Sequence, residues 1–164
     1  MGTIIRPIEK QDNPLLADLI REVFREFKIA GPGTVYTDPT TDNLYDLFQD
    51  PKSAYWVALS ENEIIGGCGI YPTEGLPEGC AELVKFYLAP GARGKGIGKE
   101  LMEKSVESAI ELGYQQLYLE SFPELSKAIG MYKKAGFKHI SHALGNSGHF
   151  GCNIWMVKDF GKGS

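Results

Sequence analysis

Cysteine is scarce: Cys68, Cys80 and Cys152 are the three in 164 residues. An odd count with scattered spacing builds neither a disulfide framework nor a zinc motif. All three stand in strand-like apolar contexts and read as packing residues. Histidine is equally sparse. His139, His142 and His149 lie near one another but lack a ligand spacing with acidic or Cys partners, so no metal site is expected. No apolar run approaches the ~20 residues of a membrane span, and the first residues carry no signal-peptide core. A reducing, cytoplasmic setting with no membrane partner is the resulting expectation. Excess positive charge is missing too. The formal net charge of -4 argues against a general polyanion binder such as nucleic acid. Repeats and low-complexity segments are absent.

What is present suffices for a core, since 43% of the residues are hydrophobic and the length suits one domain, 1–164, with 160–164 as a loose tail. Thr3 to Ile8 reads as a strand. Asp12 or Asn13 can cap a helix with Pro14 in its first turn. Its apolar stripe is Leu15, Leu16, Leu19, Ile20, Val23, Phe24 and Phe27, and Gly31-Pro32-Gly33 ends it. A short helix is expected near Thr41 to Gln49. Ala54 to Ser60 and Glu63 to Tyr71 form a hairpin about Glu61-Asn62. Gly66, Gly67 and Gly69 in the second of these strands mark a bulge or a close backbone approach. Later come a strand over 115–120, a helix over 124–135, a strand over 138–142, a polar loop over 143–151 and a last strand over 152–158. The order is that of a mixed α/β domain.

The organising stretch runs from Ala81 to Met102. Ala81 to Leu88 is a strand, apolar except for Glu82 and Lys85. Pro90 and Gly91 end it, and Gly94, Gly96 and Gly98 then alternate with Lys95 and Ile97. From Ile97 on, Leu101, Met102, Val106, Ala109 and Ile110 recur at helical spacing. Glycines at a helix start let the backbone approach a ligand, and the free N–H groups of the first turn favour an anion. Arg93, Lys95 and Lys99 add cations. An anion cradle follows, with a pyrophosphate as its expected ligand. It is neither a Walker A loop, since Arg93 and Glu100 occupy the required Gly and Ser/Thr positions, nor a Rossmann fingerprint, since Lys99 or Leu101 falls at the third glycine.

What remains is Arg93-x-x-Gly96-x-Gly98 between a strand and a helix. Some thirty residues on stands Ala128-Ile129-Gly130-Met131-Tyr132 through Gly136-Phe137. Together these resemble the GNAT superfamily of acyl-CoA-dependent N-acetyltransferases, whose motifs are Q/R-x-x-G-x-G/A and A-I-x-x-Y-x-x-x-G-F. The resemblance implies a GNAT-like α/β (α+β) fold: a central mixed sheet of six to seven strands flanked by about four helices. It implies acetyl-CoA as cosubstrate. Backbone at Phe86, Tyr87 and Leu88 would pair with the pantetheine arm. The loop of Arg93, Gly94, Lys95, Gly96, Ile97, Gly98 and Lys99 would hold the pyrophosphate. Ser126 would contact the cofactor where many members carry Asn.

Acetyl transfer needs a held thioester, a neutral amine and a protonated leaving thiol. The resemblance makes Tyr132 the acid beside the thioester sulfur. Glu82, the only carboxylate inside the central strand, is the candidate base. Alternation places it beside Val84, Phe86 and Leu88, whose apolar surroundings would raise its pKa. Glu120 and His149 are reserve bases, and a Cys152–His149 pair is a minor alternative. The acceptor is expected to be a small-molecule or protein amine, bound by residues 27–42, Glu82, Glu120 and the loop around His149. The family implies a monomer or homodimer. A non-catalytic acyl-CoA sensor of the same fold, O-acyl transfer and longer acyl chains stay open.

Overall fold

The structure is a computed structural model that describes residues 2–29, 31–34, 36–145 and 152–160. Strands β1 (Thr3–Pro7), β2 (Ala54–Ser60), β3 (Glu63–Tyr71), β4 (Cys80–Leu88), β5 (Gln116–Ser121), β6 (Lys138–Ile140) and β7 (Ile154–Asp159) form one sheet in the order β1-β2-β3-β4-β5-β7-β6. Every pairing is antiparallel except β4 with β5. Helices α1 (Asn13–Glu26), α2 (Leu44–Leu47), α3 (Ile97–Glu111) and α4 (Ser126–Lys134) flank it. Two apolar clusters lie on its two faces. Leu16, Ile20 and Phe24 of α1 and Leu44 of α2 pack in one with Tyr55 and Val57. Ile97, Leu101, Met102 and Ala109 of α3 pack in the other with Tyr132 of α4.

The β2–β3 hairpin closes on Glu61 and Asn62, both at positive φ (51° and 67°), with Ser60 paired to Glu63. Two left-handed residues are what a two-residue loop needs to match strand twist. The β3 glycines mark both a bulge and a close approach. A Cβ at Gly67 would stand 2.5 Å from the Tyr55 hydroxyl, and one at Gly69 2.5 Å from Tyr55 Cδ1. Tyr55 therefore lies flat on β3, and its hydroxyl donates to the Lys85 carbonyl at 2.6 Å. Gly69→Ala should overpack this contact and cost roughly 1–3 kcal/mol. The expected readout is a lower urea midpoint at unchanged m-value.

Several expectations need correction. Asp12 starts α1 but does not cap it with its side chain. Its carboxylate accepts from the Arg6 guanidinium (2.8 and 3.0 Å) and the Glu9 N–H (2.8 Å), and these donors leave it facing β1. Asn13 Oδ1 accepts from the Tyr45 N–H instead of from its own helix. Leu15 lies outside the buried stripe and is exposed. The short helix near Thr41 to Gln49 is a 3-10 turn, Pro39–Asp42, followed by the single turn of α2, because Asp38 Oδ1 takes the Thr40 N–H and hydroxyl. Helix α4 begins at Ser126 rather than 124. Phe160 is no loose tail residue: its N–H donates to the Gln115 carbonyl and it packs on the core, while 161–164 lie outside the described residues.

Strand β4 departs from plain alternation. Gly67 pairs with Tyr87 and Gly69 with Val84, so two residues of β3 span three of β4. The extra residue sits at Lys85, whose φ is +53°. A bulge of this kind inverts the alternation that follows it. Glu82 and Val84 do not share a side with Phe86 and Leu88. Phe86 and Leu88 turn to the α3 face with Ala81 and Leu83, and Tyr87 joins Val84 on the α1 face.

Candidate active site

β4 pairs with β5 only at Cys80–Gln116, Ala81–Leu117 and Glu82–Tyr118. Beyond Glu82 the two strands diverge, which leaves a gap between the second half of β4 and the start of α4. A groove of about 590 Å³ runs through it, walled by Glu26 at the end of α1 and Phe27 just after it, Phe86 to Leu88, Arg93, Gly94, Ser126 and Met131. That volume falls in the usual range for a small-molecule site. A smaller cavity of about 50 Å³ lies next to it, lined by Phe24, Glu82, Lys85, Glu120, Phe122 and Cys152. Phe86, Tyr87, Leu125 and Tyr132 line both.

The glycine loop meets the groove at one end. Gly94 and Gly96 have φ of +77° and +81°, and a Cβ on either would meet nothing within 4 Å. Gly96 caps α3 without a side-chain bond, so the first-turn N–H groups lack intrahelical partners. Left-handed glycines, open space and free N–H groups fit a diphosphate. Gly98 has another reason to be glycine: a Cβ there would crowd Leu88 (2.9 Å), Phe86 and Met131 (both 3.2 Å). Ile97 is buried in the core, so only its main chain can serve a ligand. Lys95 and Lys99, like Gly96, Ile97 and Gly98, lie outside the groove wall. The Arg93 guanidinium is committed elsewhere. It makes a bidentate pair with Glu26 (2.7 and 2.8 Å), donates to the Leu88 carbonyl (3.0 Å) and lies 5.2 Å from the Phe27 ring centroid. Arg93 thus straps the end of α1 to the end of β4, a pairing across 67 residues that local sequence does not announce.

Tyr132 is buried on α4 between Phe86 (centroids 5.9 Å) and Phe137 (5.8 Å). Burial, and to a lesser degree Cys68, pushes its phenol well above the ordinary range, so it keeps its proton. Glu82 is 4% exposed. Thr73 Oγ1 donates to its Oε1 at 2.6 Å. Its carboxyl is raised to about 8, by burial first and Glu120 second, against smaller lowering effects of Thr73 and Lys85. Glu120 Oε2 accepts from the Tyr118 hydroxyl at 2.7 Å, and the Tyr118 oxygen itself accepts from the Leu144 N–H at 3.2 Å. The cavity thus brings the two carboxyls together. Of the described residues between 27 and 42, none lines it: Phe27 walls the groove, and Asp38 approaches through Lys85. His149 lies outside the described residues. Burial raises the thiols of Cys68 and Cys152 to about 12 and that of Cys80 to about 11, so they remain protonated near neutrality.

Lys85 is the functional candidate that the sequence passed over. It interrupts an apolar strand, which was a visible signal, but only the bulge explains where it goes. Its side chain is 4% exposed, and its Nζ stands 3.9 Å from Asp38 Oδ2. Burial lowers its pKa, against the opposing pull of Asp38 and Glu82. Among the described residues no group of three or more His, Cys, Asp or Glu side chains could hold a metal ion, and no helix is long and apolar enough to cross a membrane.

A mixed sheet opened at its parallel pair, with a glycine loop leading into a helix at one end of the opening, is an acetyltransferase scaffold. The chain belongs to the acetyltransferase (GNAT) family, whose model matches residues 17–137. It is 40% identical over 157 residues to the uncharacterized N-acetyltransferase YjgM of Escherichia coli, covering 95% of this chain and 94% of that one. Its fold is similar to that of a GNAT-family acetyltransferase from Staphylococcus aureus, with a TM-score of 0.86, 20% identity and coverage of 98% and 100%. It is also similar to PaiA N-acetyltransferase from Thermoplasma acidophilum, solved in complex with coenzyme A, with a TM-score of 0.74, 21% identity and coverage of 98% and 100%.

Proposed function

We propose that this chain moves the acetyl group of acetyl-CoA to a primary amine by direct attack with both substrates bound. One observation carries the reading: Tyr132 and Phe86 line both the long groove and the carboxyl-lined cavity. A thioester held in the first and an amine held in the second would meet at the Tyr132 phenol. The coenzyme A complex of the PaiA enzyme supports the same ligand here.

Acetyl-CoA would supply an activated acyl thioester. The main chain from Arg93 to Lys99 would hold its diphosphate, the β4 backbone at Phe86 to Leu88 its pantetheine arm, and Ser126 a further polar contact. Glu82, with Glu120 in reserve, removes the proton that keeps an amine charged at neutral pH. The nitrogen bonds to the acyl carbon as the C–S bond breaks. Tyr132 gives its proton to the departing sulfur. Glu82, having passed any proton of a charged amine to water, takes the surplus proton that the nitrogen sheds as it bonds to carbon, and water carries that proton back to the phenol. Thiols kept protonated by burial are poor nucleophiles, which supports direct attack over a covalent acyl-enzyme.

The test is calorimetry with coenzyme A together with thiol release from acetyl-CoA across a panel of amines. Binding with amine-dependent release is the expected result. Binding without turnover for any amine would make the chain a sensor, and absence of binding would remove the reading altogether.

A further inference from the structure

Lys85 is held where lysine is costly. A non-glycine residue at φ +53° carries backbone strain of order 1–3 kcal/mol, and such strain gathers at functional sites. The Tyr55 hydroxyl fixes the bulge by its bond to the Lys85 carbonyl. Tyr55 in turn requires the two glycines of β3 beneath it. Three elements therefore combine to keep one ammonium inside the cavity wall.

That ammonium is poorly satisfied. A lysine has three donors. Among the described residues the Lys85 ammonium donates no hydrogen bond, and its single ion pair, with Asp38 at 3.9 Å, is beyond hydrogen-bond range. Asp38 is itself engaged by Thr40 through its other oxygen. A buried cation left this way is destabilising unless a ligand completes its shell. The same small cavity holds the carboxyls of Glu82 and Glu120. One side thus suits an amine and the other an anion. The groups that face Lys85 electrostatically are Asp38 and Glu82.

We infer that the acceptor is an amine bearing a carboxylate a few bonds from its nitrogen, such as a free amino acid, and that Lys85 receives the carboxylate. This rests on the acetyltransferase reading of the same site and narrows it. A cavity of about 50 Å³ admits only a small head group, which agrees with an amino carboxylate entering amine first.

The test compares thiol release for matched pairs, each a free amino acid and its carboxamide, with wild-type protein, Lys85→Met and Lys85→Arg. In wild type the acid should exceed the amide by roughly 10- to 100-fold in kcat/KM, chiefly through KM, the range of a charge-assisted hydrogen bond. The amine of the amide is less basic, so the comparison is biased against the proposal. K85M should bring the ratio near one, and K85R should keep much of it. Amides used as well as acids by the wild type would overturn the inference. So would a ratio left intact in K85M, whether because Lys85 only balances Asp38 or because it acts as a base and lowers kcat for both partners equally. If K85M fails to fold, the wild-type pairs decide the matter alone. Failure of every amine to release thiol would instead defeat the acetyltransferase reading, so the two failures are distinct.

Discussion

Tyr132→Phe should lower kcat for amine acetylation by about 10²- to 10⁴-fold, the range for loss of one general acid, while coenzyme A binding heat stays within about twofold of wild type. The substitution removes one oxygen and keeps the ring between Phe86 and Phe137, at 5.9 and 5.8 Å. Apolar packing on α4 is thus conserved, and the thermal midpoint should hardly move. What is lost is a proton donor that burial keeps protonated through the neutral and mildly alkaline range. A thiolate leaving from the groove then loses the acid proposed for it. Single-turnover measurements with acetyl-CoA preloaded separate this loss from any change in donor binding. A fall of less than tenfold would make Tyr132 a packing residue, as its place in the α3-face core also allows.

Local chemistry made much of this frame legible. Asn62 after Glu61, between two apolar runs, marked the hairpin. The glycine spacing after β4 marked the start of α3, and both motifs pointed to the family that the matched region 17–137 establishes. The interior of the cavity was not legible in the same way. Nothing near Lys85 in sequence announces a bulge; Tyr55 and the β3 glycines, across two strands, determine it. Because a single extra residue inverts the alternation, Phe86 and Leu88 lie across the sheet from Glu82 and Val84, although plain alternation puts all four on one side. The other site contacts also join residues that are not sequence neighbours: Arg93 with Glu26, Lys85 with Asp38, and Thr73 with Glu82. A carboxylate or guanidinium in sequence shows its charge but not its partner, and partners decide whether it is a ligand, a strap or a base.

Glu82 should leave two separable marks on pH dependence. The kinetic one is a rise of kcat/KM through a limb near pH 8, set by a carboxyl raised to about 8, with a loss of about 10²- to 10³-fold in Glu82→Gln. Ordinary amines titrate in the same region, so the limb must be read with an alkoxyamine acceptor such as aminooxyacetate, whose nitrogen is already neutral there. With it the limb belongs to the protein. Glu82→Gln should abolish it, and its persistence would move the base to Glu120 or another group. The second mark is on stability. The folded chain keeps a proton on Glu82 that the unfolded chain releases near the ordinary carboxyl value of 4.5, and gives it up only near 8. The folded state therefore binds more protons between these values, and stability falls as pH rises through that window by up to a few kcal/mol. In Glu82→Gln this contribution disappears, so the drop in denaturation midpoint from pH 5 to pH 8.5 should shrink. The repulsion from Glu120 and the opposing influence of Thr73 and Lys85 all act on the same carboxyl. Thr73→Val, which removes the 2.6 Å bond to Oε1, should accordingly move the kinetic limb upward while Thr73→Ser restores it. An unmoved limb would show that Thr73 holds the loop rather than the carboxyl.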